Sequence, residues 1–261
     1  MALGRAYPFS DVPSFLYTDI LPFATMRPTF ILLSLTFLSL GACRMDCAVG
    51  TGPVEQRALD IGPFTGIEVG GAISVVIEKG SEQKVVARGQ ANLIDLLGTE
   101  VKSGIWKIRS PQCWRTSEPF EIHITTASQL ASIDIGGSGD VRAANVFGSG
   151  RTKLAVHGSG SIQIDEINEK KIEVSISGSG TATLRGTCAV LDGSISGSGD
   201  LNGRELAANE ASLKISGSGD ATITAISKLT AKVSGSGTVR YAGKPDIESK
   251  VSGSGSVTPI E

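Results

Sequence analysis

The chain has 261 residues, a formal net charge of −2, a hydrophobic fraction of 40% and an aromatic fraction of only 5%. That length suits one large domain. A near-neutral, slightly acidic balance offers no basic surface and sets nucleic acid aside as a partner. Thirty-three glycines beside so few aromatics imply a thin core of Val, Ile, Leu and Ala.

Residues 1–25 carry Pro8, Pro13 and Pro22, one basic residue (Arg5) and no periodic pattern, and are read as an upstream extension. Met26 begins a more legible segment, 26–42: Arg27, an unbroken apolar run over 29–40, then Leu40-Gly41-Ala42-Cys43. The run is too short to span a bilayer and has a cleavage-like end. It resembles a bacterial lipoprotein signal peptide, which implies that Cys43 becomes the first mature residue and carries lipid on its thiol. Two or three acyl chains there anchor a protein stably to a membrane. The alternative is an ordinary secretory signal with Cys43 incidental. Arg44, in place of an aspartate, points by the same resemblance to the outer membrane. Residues 43–59 carry Gly and Pro with little periodicity and read as a tether.

From 60 onward the sequence alternates. Phe64, Ile67 and Val69 lead to Gly70-Gly71-Ala72, then Ile73, Val75 and Ile77 follow: strand, glycine turn, strand. Asn92 to Leu97 reads as one helical turn capped by Asn92, and 100–108 as two strands about a Ser-Gly turn. Between Ile133 and Val257 one phrase returns seven times. Its glycine pairs are Gly137 and Gly139, Gly158 and Gly160, Gly178 and Gly180, Gly197 and Gly199, Gly217 and Gly219, Gly235 and Gly237, and Gly253 and Gly255. Successive first glycines step by 21, 20, 19, 20, 18 and 18 residues. An apolar-x-apolar pair flanks each turn, so one face is inward and one outward.

A fixed period near twenty built from strands implies a solenoid in which coils stack and share one core. The fold class expected for 60–261 is all-β, a single-stranded parallel β-helix with coils of about 20 residues. The rival is an antiparallel sandwich, which shows uneven loops and hairpin turns. Handedness does not follow from the period; right-handed crossover is the general preference. Both glycines of each pair have inward parity, where a side chain would strike the coil interior. Ser138, Ser159, Ser179, Ser198, Ser218, Ser236 and Ser254 would form a corner column about 4.8 Å apart. No base stands near any of them to activate it as a nucleophile.

Other chemistry is thin, and no catalytic residue and no cofactor is expected. Asp140, Asp200 and Asp220 each follow a glycine corner, and Asp200 with Asp220 on adjacent coils is the one weak candidate for a shared cation. His123 and His157 sit on outward parity without an evident partner. With Cys43 removed, Cys47, Cys113 and Cys188 remain, in no metal-binding spacing. Cys188 reads as core, and a Cys47–Cys113 disulfide is open. Trp106 and Trp114 read either as packing in a wider, capping coil or as a platform for stacking a sugar. The final coil ends in an exposed edge through which chains could oligomerise.

The run FTGIEVGGAISVVIEKGSEQKVVARG, the run NLIDLLGTEVKSGIWKI and the serial ISGSGD phrases resemble the auto-transporter adhesin head GIN domain family over about 60–258. The resemblance implies a right-handed parallel β-helix on a small bacterial envelope protein, often a lipoprotein, with no catalytic residues to carry over. The implied function is a non-catalytic envelope adhesin that presents its surface to an unidentified glycan or protein. A polysaccharide-acting enzyme and a purely structural spacer are the alternatives.

Overall fold

A computed structural model describes residues 47–260. The extension 1–25, the leader-like segment 26–42 and Cys43 lie outside the described residues. Apart from one turn of helix, Ala91–Ile94, the regular structure in the described residues is strand.

Alternating apolar residues at a fixed period stack like on like. Strands Ser161–Gly178, Thr181–Gly197, Asp200–Gly217 and Asp220–Gly235 pair in parallel, each with the next. Each runs from one glycine corner around to the following one. Gly158, Gly178, Gly197, Gly217, Gly235 and Gly253 are consecutive register partners, so the corners lie in one column. A second bend carries the register breaks, between Ile164 and Ile167, Thr183 and Gly186, and Gly203 and Ala207. The chain therefore folds as a parallel β-solenoid, not as a sandwich. Ile135, Val156, Ile176, Ile195, Ile215 and Val233 form one dry column inside it, each at most 2% exposed. β-branched side chains at strand spacing fill such a stack without gaps. Where the column beside it thins to Gly193, a neighbouring leucine takes the space: a Cβ there would lie 2.6 Å from Leu213 Cδ2.

The corner explains its glycines, with one refinement. Gly178 has φ +126°, and a Cβ there would lie 2.5 Å from the carbonyl oxygen of Gly158, one coil away. The first glycine is thus required by its stacked neighbour's backbone rather than by the interior. The second faces both: a Cβ on Gly180 would strike Val156 Cγ1 inside and lie 2.6 Å from the Gly160 carbonyl. The bonds across the corner are made by serine amides. Ser179, Ser198, Ser218 and Ser236 each donate N–H to the glycine carbonyl of the adjoining coil at 2.9 Å.

The beginning of the domain does not wind in order. Gly66–Val69 lies between Ile105–Ile108 and Ser132–Ile135. Ser74–Lys79 lies between Glu121–Thr126 and Asp140–Ala144. The first coil made is second in the stack, and the later segment 105–126 forms the outermost one. Antiparallel strands close that end: Lys84–Gln90 pairs with 121–125, Val54–Leu59 pairs with Lys84–Gln90, and Val101–Lys102 forms a hairpin with Ile105–Ile108. Ser103 and Gly104, both at positive φ, make its turn.

Two expectations are corrected here. Residues 47–59 are part of the cap rather than a tether: Ala48–Val49 pairs with Trp114–Arg115, and Cys47 is disulfide-bonded to Cys113. An edge strand with one partner shows weak alternation, which is why 54–59 reads as linker. Asn92 does not cap the helix, whose N-cap is Gln90. The Asn92 side chain instead accepts the Thr51 amide at 3.0 Å and donates to the Val49 carbonyl at 2.8 Å, holding the first strand to the cap.

Candidate binding surface at the cap

A groove lies where the disulfide loop passes the first glycine corner. Strand Ile105–Ile108 ends at Arg109, and Ser110, Pro111, Gln112 and Cys113 turn back over Gly70, Gly71 and Ala72. The groove holds about 420 Å³ and is lined by these residues and Trp114. Its floor has little or no side chain, so a ligand can approach the backbone closely. A second groove of about 460 Å³ shares Arg109, Ser110 and Pro111 and adds Gly98, Glu100, Lys102 and Lys107.

Ties on every side hold the loop. The Cys47–Cys113 disulfide joins it to the first strand, and Ala48 donates its N–H to the Cys113 carbonyl at 2.9 Å. Trp114 packs on Phe120 with ring centroids 4.7 Å apart. Three cations face two carboxylates here: Lys107 and Arg109 reach Glu68 at 2.8 and 3.7 Å, and Lys102 reaches Glu100 at 3.0 Å. Of the charged side chains that line the two grooves, Lys102, Lys107 and Arg109 are cationic and Glu100 is anionic, while Glu68 and its register partner Asp134 lie beside Lys107 and offset part of that charge.

The two tryptophans have separate roles. Trp106 is fully buried, donates Nε1–H to the Gly98 carbonyl at 2.9 Å and packs against Phe64, so it belongs to the core. Trp114 is half-buried and lines the groove. Cys188 is a buried free thiol whose pKa burial pushes up to about 11.

Asp200 and Asp220 are register partners on adjacent coils, but each carboxylate is turned to the coil that follows. Asp200 accepts the Asp220 amide at 3.4 Å; Asp220 accepts the Thr238 amide at 2.8 Å and pairs with Arg240 at 3.2 Å. Asp140 accepts from the Ser161 hydroxyl in the same sense. They act as rungs between coils, and among the described residues no cluster of three or more metal-ligating side chains occurs. The histidines do have neighbours: His123 lies 3.8 Å from Glu121 and His157 lies 3.8 Å from Asp134. Burial raises the Asp134 carboxyl above its ordinary range, with His157 opposing that shift.

One buried group escapes a reading of the sequence. Glu169 is 5% exposed; its Oε1 accepts from the Gly148 amide at 2.7 Å and the Thr152 hydroxyl at 2.9 Å, and its Oε2 has no protein partner. It pins the segment 146–150 to the solenoid wall. The available signal is Gly148-Ser149-Gly150, a Gly-Ser-Gly outside the twenty-residue period.

Residues 63–245 match the family model described as "Putative auto-transporter adhesin, head GIN domain". The chain belongs to this family. The GIN domain fold is shared with the crystal structures of a putative adhesin from Bacteroides fragilis and a putative adhesin from Parabacteroides distasonis. The first is 24% identical with a TM-score of 0.72, covering 81% of this chain and 99% of that one. The second is 25% identical with a TM-score of 0.64, covering 82% and 100%. A third, of a putative lipid binding protein from Parabacteroides distasonis, is 23% identical with a TM-score of 0.65 and covers 82% and 99%. No curated protein matches the chain. GIN-domain membership places the protein among adhesin-like proteins of the cell surface or envelope.

Proposed function

We propose that the protein is a non-catalytic lipoprotein of the outer membrane, anchored through lipid on Cys43, whose GIN domain binds a surface glycan in the cap groove. The observation that carries this reading is the company Trp114 keeps: a half-buried indole beside Arg109 and Gln112, over a glycine floor. Stacking on an aromatic face, with amide and guanidinium donors at the rim, is how an open groove recognises a sugar. Excess cations at the rim favour glycans that carry carboxylate or sulfate.

Glycoside hydrolysis would require two carboxyls across the groove. The two cap grooves are lined by one, Glu100, held by Lys102. One structural neighbour is named for lipid binding. Both cap grooves are open, the first carries Arg109 and Gln112 beside Trp114 and the second carries Glu100, Lys102 and Lys107, which suits a sugar better than an acyl chain.

A glycan array probed with the purified protein tests the reading. Binding to acidic glycans is expected, weakened about tenfold or more by Trp114→Ala, with no release of reducing ends. Binding that Trp114→Ala and Arg109→Ala leave intact removes the groove from the account, and capture only of envelope proteins replaces glycan with protein. Mass spectrometry of the mature N-terminus tests the lipid on Cys43.

A further inference from the structure

The two ends of the solenoid are built differently. Antiparallel strands and a disulfide close the first. Among the described residues the last is open: Asp246–Gly253 pairs only with 228–235, and Ser256–Pro259 only with 238–241. All of Asp246–Gly253 is exposed, including Ile247 at 46% and Val251 at 41%, although the partners beneath them, Leu229 and Val233, are buried. An apolar floor and a row of unsatisfied backbone groups call for another strand.

This strand's own sequence says which one. Centred on Ser249, Asp-Ile-Glu-Ser-Lys-Val-Ser is complementary to itself read backwards. Laid antiparallel on a second copy, Ser249 meets Ser249, Ile247 meets Val251, and Glu248 meets Lys250, each pair occurring twice. The inward residues Ile247 and Val251 stay on the core side of both sheets, so the two dry interiors join. Lys250 also ends a row of stacked cations, Lys214, Lys232 and Lys250, whose mutual repulsion a facing carboxylate relieves. The closed first end bars head-to-tail growth, so the contact is isologous and stops at two.

We propose that the protein forms a symmetric dimer by antiparallel pairing of Asp246–Gly253 with the same strand of a second copy. The two caps then point away from each other, presenting two grooves to one extended ligand. The dimer itself does not depend on what the groove binds.

Sedimentation velocity of the purified protein in mild detergent, with two sets of variants, is the test. The wild type is expected to be dimeric at micromolar concentration. Lys250→Glu sets Glu against Glu twice and should weaken the dimer about tenfold, while Glu248→Lys with Lys250→Glu exchanges the charges and should restore it. Ser249→Cys places two thiols on the axis, with Cα atoms about 4.5–5.5 Å apart in either kind of antiparallel pair, within disulfide reach. Oxidation should link it into a covalent dimer, whereas Lys232→Cys, about 16 Å from its mate at three strand spacings and a two-residue offset, should stay monomeric on a denaturing gel. Circular dichroism confirms that each variant is folded. A wild type that stays monomeric, or a dimer indifferent to Lys250→Glu and not linked by Ser249→Cys, overturns the proposal.

Discussion

The cap, 47–126, and the regular solenoid, 151–260, solve one problem by opposite means. Both must order a chain whose individual coils bury little. The solenoid does it by repetition: each corner accepts the next through backbone alone, and no large side chain is needed. Among the described residues the cap has no coil on its outer side, and it relies on bulk and cross-links: Trp106, Phe64 and Phe120, antiparallel hairpins, and a disulfide spanning 66 residues. Repetition makes register cheap to specify but intolerant of a single added atom at the corner. The cap depends on a few ties.

The largest effect should come from the tie. Closing a loop of this length stabilises by about 4 kcal/mol on the chain-entropy model. Cys47→Ser with Cys113→Ser should lower the unfolding free energy of the cap by about that much. Denaturant unfolding followed at Trp106 fluorescence should then precede the far-ultraviolet transition of the solenoid. Coincident transitions would mean that cap and solenoid are one cooperative unit. The corner comes next. Gly178→Ala combines positive φ with a backbone collision and should cost about 3 kcal/mol or more. Gly52→Ala, at φ +80° but with nothing within 4 Å, should cost about 1 kcal/mol. Equal effects in urea denaturation would remove the stacking contact from the explanation.

Smaller is Glu169→Gln, which keeps the acceptor for Gly148 and Thr152 and replaces the unpartnered oxygen. It should change stability by less than about 1 kcal/mol, whereas Glu169→Ala should cost about 2 kcal/mol by stranding both donors. The smallest is electrostatic. Asp165 accepts from Gln163 and Arg142, at 2.7 and 2.8 Å, and lies 3.5 Å from Arg185, and these hold its carboxyl below the usual range. A depressed carboxyl stabilises the fold above its ordinary pKa, and that contribution fades as pH falls through the lowered value. Asp165→Asn should therefore destabilise at pH 7 but lose less than the wild type between about pH 5 and pH 2, read from thermal melts across that range.

The same comparison shows what a sequence of this kind discloses. Ile133 to Val257 was legible because one local cause acts at every corner: Gly178 must be glycine, and so must the residue one coil on. Ile67 and Val75 were legible as a degenerate copy for the same reason. The order of the first coils was not, since nothing local in 66–79 or 105–126 records which strand lies outermost. Three cysteines admit three pairings, and only the meeting of Ala48 with Trp114 selects Cys47 with Cys113. Glu169 was hidden by the register break between Ile164 and Ile167, which resets inward parity, so that a charged residue in an alternating strand reads as solvent-facing. Arg109 and Gln112 occupy a short irregular loop and acquire meaning only beside Gly70.

Amide hydrogen exchange at the corner reaches the central claim most directly. Ser179, Ser198, Ser218 and Ser236 carry exposed side chains but donate their N–H groups to glycine carbonyls of the adjoining coil. Stacked corners predict that these four amides exchange as slowly as those of Ile176 and Ile195 in the strand interiors. Exchange at the rate of an open turn would show that the glycine corners do not stack.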